Sequence, residues 1–208
     1  VVNIFKIAAI KLRYFALLLS FIAWLILALP KIQMVLQQNM LSHMLLQIPL
    51  LILIGIIIGL SLNTRYHIKV TYSYALPGLL IASFSLLFWM LPRSLDASLS
   101  YPSYAVAKFT TLPLLIGIPL ALCWHAITAI TKGFFITQII SMLMVLAWLY
   151  IESPIRLCNY YLINEQQQLG YALLFLTLFI SIYYSSKLFY CTHPSSRENT
   201  TDERQDVS

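Results

Sequence analysis

The charges of this chain are confined to short connectors between six long apolar runs, and that segregation makes a lipid bilayer the solvent its folded form must satisfy. Of 208 residues, 60% are hydrophobic and 10% charged, against about 25% charged in an average soluble domain. Mean hydropathy is +0.82. No water-soluble core of this size needs that balance, so the expected fold class is all-α: a polytopic transmembrane helical bundle of about six spans.

A spanning helix needs roughly 20 apolar residues, or somewhat fewer with interfacial flanks. The runs that qualify are Tyr14 to Leu29, Met40 to Leu62, Tyr72 to Leu91, Ala105 to Thr128, Phe134 to Ile151 and Leu169 to Tyr190. They organise the chain into an N-terminal segment (1–13), a six-span domain (14–190) and a polar tail (191–208) whose composition reads as disordered. Pro30, Pro92, Pro102, Pro154 and Pro194 fall at or beyond run ends. Pro49, Pro77, Pro113 and Pro119 lie inside runs and are expected to kink or loosen their helices.

Lys and Arg set the orientation, because cytoplasmic flanks collect them. With alternating spans, Lys6, Lys11, Arg13, Arg65, Lys69, Lys132, Lys187, Arg197 and Arg204 share one side. Lys31, Arg93 and Arg156 fall on the other, with Lys108 just inside the fourth run. This bias predicts a multi-pass protein of the inner (cytoplasmic) membrane with both termini cytoplasmic. The first run, despite its basic front, reads as a permanent span because no clean small-residue cleavage site follows it. The net charge of +6 is then a topology signal, and nucleic acid is not an expected partner.

Motifs for turnover are missing from the sequence. Cys123, Cys158 and Cys191 fall at three depths and make no CxxC pair. There is no Walker A loop, GxGxxG or HExxH, and Ser, His and Asp are too scattered for a triad, so no enzyme activity is expected. His43 and His125 differ in depth, which disfavours a bis-histidine haem, although His67 and His125 share the inner end.

Two constellations remain. Arg93, Asp96, Lys108, Glu152, Arg156 and Glu165 balance three positive against three negative charges at the outer end, where unpaired charges are costly. Arg93 with Asp96, and Glu152 with Arg156, have helical pair spacing. Lys108 has no local acid and is expected to seek Asp96 or Glu165 across helices. A structural network and a partner site are both open readings of this set. The second constellation is Met40, His43 and Met44 at i, i+3 and i+4, one turn before Gln47, with Met34 and Met90 nearby in depth. Thioether and imidazole suit Cu(I), while methionine is equally a packing residue.

Three segments together resemble the CtaG family of cytochrome c oxidase assembly factors, membrane proteins associated with copper insertion into haem–copper oxidases. In Ser42 to Gly55, His43, Met44 and Pro49 match the family's His-Met helix signature, with Gln47 at its second histidine. In Trp89 to Pro102, the residues Trp89, Pro92, Asp96, Ala97, Leu99 and Pro102 keep the family frame. In Glu165 to Gly170, Glu165, Gln166, Gln167 and Gly170 match a Gln-rich entry to a late helix. Other family ligand positions hold Met90, Tyr101, Ala105, Lys108 and Phe109. The resemblance implies a non-catalytic role in oxidase biogenesis or copper loading, with oxidase subunits or copper chaperones as partners; if copper is handled, Met40, His43, Met44 and Met90 are the candidate Cu(I) ligands by their softness. Lys108 would repel a cation at such a site. The alternatives are an accessory subunit of a membrane oxidoreductase, or a small-molecule transporter for which Pro113, Gly117 and Pro119 would mark a broken helix.

Overall fold

The computed structural model describes residues 2–66, 70–158 and 160–191, with side chains over 14–64, 70–158 and 160–187. All of the regular secondary structure among these residues is helical. In chain order the elements are α1 (Val2–Ala28), α2 (Pro30–Gln37), α3 (Met40–Ser42), a π turn (His43–Gln47), α4 (Ile48–Tyr66), α5 (Tyr72–Met90), α6 (Pro92–Ser100), α7 (Pro102–Thr111), a second π turn (Leu112–Gly117), α8 (Ile118–Cys123), α9 (Ala129–Glu152) and α10 (Ile163–Cys191). Five continuous helices are long and apolar enough to cross a bilayer: Met40–Thr64, Tyr72–Met90, Pro102–Cys123, Ala129–Glu152 and Ile163–Lys187. A sixth span is reached if Tyr14–Ala28 and Pro30–Gln37, bent by 70°, are taken together. The molecule is a multi-pass helical bundle of membrane type.

Proline positions several of these boundaries. Pro30, Pro92 and Pro102 each open a helix, where the missing N–H would have had no intrahelical partner. Pro113 stands inside the second π turn and Pro49 is the second residue after the first, so two interior prolines accompany widened backbone. The carbonyl of Phe109, four residues before Pro113, accepts the indole N–H of Trp24 at 3.0 Å. A group that proline deprives of its usual donor is thereby satisfied from α1.

Three expected boundaries shift. The fourth span runs from Pro102 to Cys123, not on to Thr128, because Thr128 instead caps α9 by accepting from Thr131 N–H at 3.3 Å. The fifth therefore starts at Ala129. The sixth helix starts at Ile163, so Glu165 and the three glutamines lie in its first turns, not in a connector. The tail from 192 onward, His67 and His193 lie outside the described residues.

The closest helix approach uses glycine. A Cβ on Gly117 would sit 2.6 Å from Gly55 Cα, and one on Gly59 would sit 2.8 Å from Ala121 Cβ. Gly55 with Gly59, and Gly117 with Ala121, form facing small-xxx-small stripes that let two spans pack backbone to backbone. Gly170 does the same for the last hairpin, where an added Cβ would meet Ile151 and the Ala147 carbonyl. Hydroxyls within the spans turn back onto their own helices, as Ser20 does to Ala16 O, Ser61 to Ile57 O and Thr177 to Leu173 O. No polar glue from these groups is left facing lipid.

The main core gathers at the end of the bundle that carries α6. Met40, Met44, Trp89, Leu95, Phe109, Leu112, Tyr150, Tyr161 and Leu169 belong to one buried cluster. It draws on every span but the first, while Trp24 and Leu27 of α1 pack against it from outside. A smaller cluster around Ala75, Leu79, Cys123 and Phe135 holds the opposite end.

Candidate functional site

The π turn of His43–Gln47 and the helix α7 bring three polar side chains into the α6-end core. His43, Gln47 and Lys108 are each 0% exposed. Gln47 lies seven residues from Met40, and Lys108 six from Pro102, so both sit roughly 10 Å inside their spans at 1.5 Å per residue. Lys108 Nζ donates to Gln47 Oε1 at 3.3 Å and lies 5.6 Å from the centre of the Phe109 ring. Lys108 and His43 are within coulombic reach of one another. Both imidazole nitrogens, the Gln47 amide nitrogen and the Tyr150 hydroxyl have no hydrogen-bond partner.

This arrangement corrects the expectation for Lys108. It pairs with neither Asp96 nor Glu165, and its partner is a neutral amide from another span. The reason is depth: six residues of helix carry it below the interfacial charges. The Glu152–Arg156 spacing also fails as a helical pair, because α9 ends at Glu152 and both side chains are exposed. Arg93 and Asp96 do share α6, with Arg93 exposed and Asp96 half-buried.

Asp96 and Glu165 converge instead on the connector between α9 and α10. Burial, then the nearby Cys158, Glu165 and Asp96, push the Tyr161 phenol above its ordinary value. Its hydroxyl donates to Gln37 O at 2.9 Å, tying the connector to the end of α2. Burial and then Asp96 push the Cys158 thiol up to about 12. The Cys158 Sγ lies 3.8 Å from Pro92 O at the start of α6. Gln166 completes the clasp: its Oε1 accepts from Leu157 N–H at 3.0 Å and its Nε2 donates to Tyr150 O at 3.3 Å. Trp89 Nε1 donates to Thr111 Oγ1 at 2.8 Å, which in turn bonds Ala107 O, fixing α5 to α7.

Of the sulfur and imidazole set, Met40, His43 and Met44 are buried on one side of the second span, and Met90 is half-buried against the same core. Their donors are soft and the imidazole nitrogens are unpartnered, as a Cu(I) ligand would require. The neighbouring Lys108, bonded to Gln47 and within coulombic reach of His43, sets a cationic side chain where a cation would have to sit. The set therefore fits copper poorly. His125 stands exposed in the turn after α8, far along the chain from this cluster.

A cleft of about 580 Å³ opens between the α1–α2 bend and the α6–α7 corner, with Trp24, Gln33, Ser98, Tyr101 and Phe109 on its walls. Phe109 thus faces the cleft and also lies beside Lys108. Trp24, Tyr150 and the Gly55–Gly117 contact were not singled out from the sequence. The glycine stripe was readable from its four-residue spacing, whereas a lone Trp or Tyr in an apolar run carries no such signal. No family model, curated protein or solved structure matches the chain.

Proposed function

We propose that the chain works by binding, not by turnover, as a divergent CtaG-type assembly factor that supports biogenesis of a haem–copper oxidase in the inner membrane. The observation that supports this reading is spatial. The three segments that carry the resemblance are far apart in sequence, yet Met44, Trp89, Leu95 and Leu169 share one core and Gln166 clasps the connector beside α6. A family frame retained for packing at one end of the bundle gives a rigid platform, with Arg93, Glu152 and Arg156 exposed around it to meet an oxidase subunit. On the Lys and Arg bias this end faces outward and both termini are cytoplasmic. The Lys108 ammonium argues against direct copper loading through His43, so the role proposed is that of a protein scaffold.

The experiment is deletion of the gene followed by measurement of assembled oxidase. The expected result is loss of the mature complex, restored by the wild-type chain and also by a His43→Ala chain. Normal oxidase levels in the deletion would overturn the reading. Stoichiometric co-purification with a mature complex would favour an accessory subunit, and solute flux in proteoliposomes would favour a transporter.

A further inference from the structure

Lys108, Gln47 and His43 present an imbalance that the bundle itself does not resolve. An ammonium has only donors, a carboxamide nitrogen has only donors, and an imidazole brings at least one more. One of these N–H groups is matched, by Gln47 Oε1 at 3.3 Å. The Gln47 amide nitrogen and both His43 nitrogens are buried without partners. Among the described residues no acid bonds Lys108, whose hydrogen-bond partner is Gln47, and Glu152 is exposed. A buried charge without a counter-charge costs several kcal/mol, and each unmet buried donor adds about 1–3. Water would answer the donors and leave the charge. A cation would worsen both.

We infer that His43, Gln47 and Lys108 form an intramembrane binding site for one halide-sized monovalent anion. The ammonium supplies the opposite charge, and the unpartnered Gln47 amide and a His43 N–H supply donors to it. All three side chains are 0% exposed, which excludes a guest as large as a carboxylate-bearing metabolite. The two π turns place this site where neighbouring helix backbone is already widened, at His43–Gln47 and just beyond Lys108 at Leu112–Gly117. The inference stands apart from the proposed assembly role, because anion occupancy is measured on the purified chain with no oxidase present.

The test uses the full chain in detergent micelles with chloride, bromide or gluconate as the sodium salt at matched ionic strength. Wild type is expected to unfold at higher temperature in chloride and bromide than in gluconate, and to broaden the ³⁵Cl NMR line beyond a micelle blank. Lys108→Met should remove both effects, with at least a roughly tenfold loss of apparent chloride affinity. Lys108→Arg should retain them in part. Gln47→Leu keeps the ammonium and should weaken binding several-fold, which preserves the test if Lys108→Met does not fold. Equal melting of wild type in all three salts with no excess line broadening would overturn the site. So would full halide dependence in Lys108→Met or in Gln47→Leu.

Discussion

Gly55 and Gly117 meet backbone to backbone: a methyl placed on Gly117 would lie 2.6 Å from Gly55 Cα and equally close to the Ile52 carbonyl. Nothing flexible is available to move away, because the atoms in contact belong to the helices themselves. Gly55→Leu is therefore expected to destabilise by about 3 kcal/mol or more, at the upper end of overpacking costs. Gly133, in α9, has nothing within 4 Å of an added Cβ. Gly133→Ala should instead stabilise by roughly 0.5–1 kcal/mol through helix propensity. Thermal unfolding of both variants in one detergent checks the contrast, and a neutral Gly55→Leu would refute the contact.

The Trp24 to Phe109 hydrogen bond is expected to be coupled to Pro113. Trp24→Phe leaves a carbonyl without a donor in an apolar setting, a loss of about 1–3 kcal/mol. In a Pro113→Ala background the restored N–H can serve the same carbonyl, so the Trp24 substitution should cost less there. A double-mutant cycle that sums without interaction would show that the indole and the proline are independent.

Gln166 is expected to matter more than its neighbours in the glutamine run. Its side chain serves Leu157 N–H and Tyr150 O together, whereas Gln168 is exposed. Gln166→Leu should destabilise by about 2–4 kcal/mol through two abandoned backbone groups, and Gln168→Leu should be close to neutral. Limited proteolysis within the 153–162 connector is the local readout, with cutting accelerated only in the first variant.

Cys158 is expected to be chemically silent near neutral pH. The thiolate is the reactive form, and burial with Asp96 nearby holds the thiol protonated up to about 12 instead of 9.0. A raised value means that the stability this thiol contributes is complete below about 9 and is lost as pH climbs toward 12. Maleimide labelling at pH 7 should thus spare Cys158 while reaching cysteines introduced at the exposed positions Ser100 and Asn164. Both should label from outside the cell, and a cysteine at Ser196 should not. Reaction of Ser196 from outside would reverse the orientation proposed here.

Most of the architecture was legible because apolar length is a strong signal in lipid, where backbone groups must close on themselves. Five of the six runs became continuous spans, and the first became a limb followed by a bend at Pro30. What the sequence blurred were polar entries to helices: Glu165 and its glutamines look like a connector until a tertiary partner for Gln166 is known. The candidate site was half legible. His43, Gln47 and Lys108 each stood out as polar residues in apolar surroundings, but pattern alone sent Lys108 toward an acid. Only the relative depth of two helices revealed that its partner is Gln47.

The two π turns bear on how any relative of this chain would have to be aligned. A π turn holds one residue more than the α turn it replaces, so losing one residue near 43–47 or 112–117 need not break a helix. It would close the wide turn to an α turn and leave the residues beyond it on the same helix face, because the widening is what absorbs the extra residue. Gly55 would then still face Gly117, whether or not the facing span lost its own extra residue. A gap in either span can therefore occur without one in the other, which makes single-residue indels within helices the informative positions, where alignment normally forbids them.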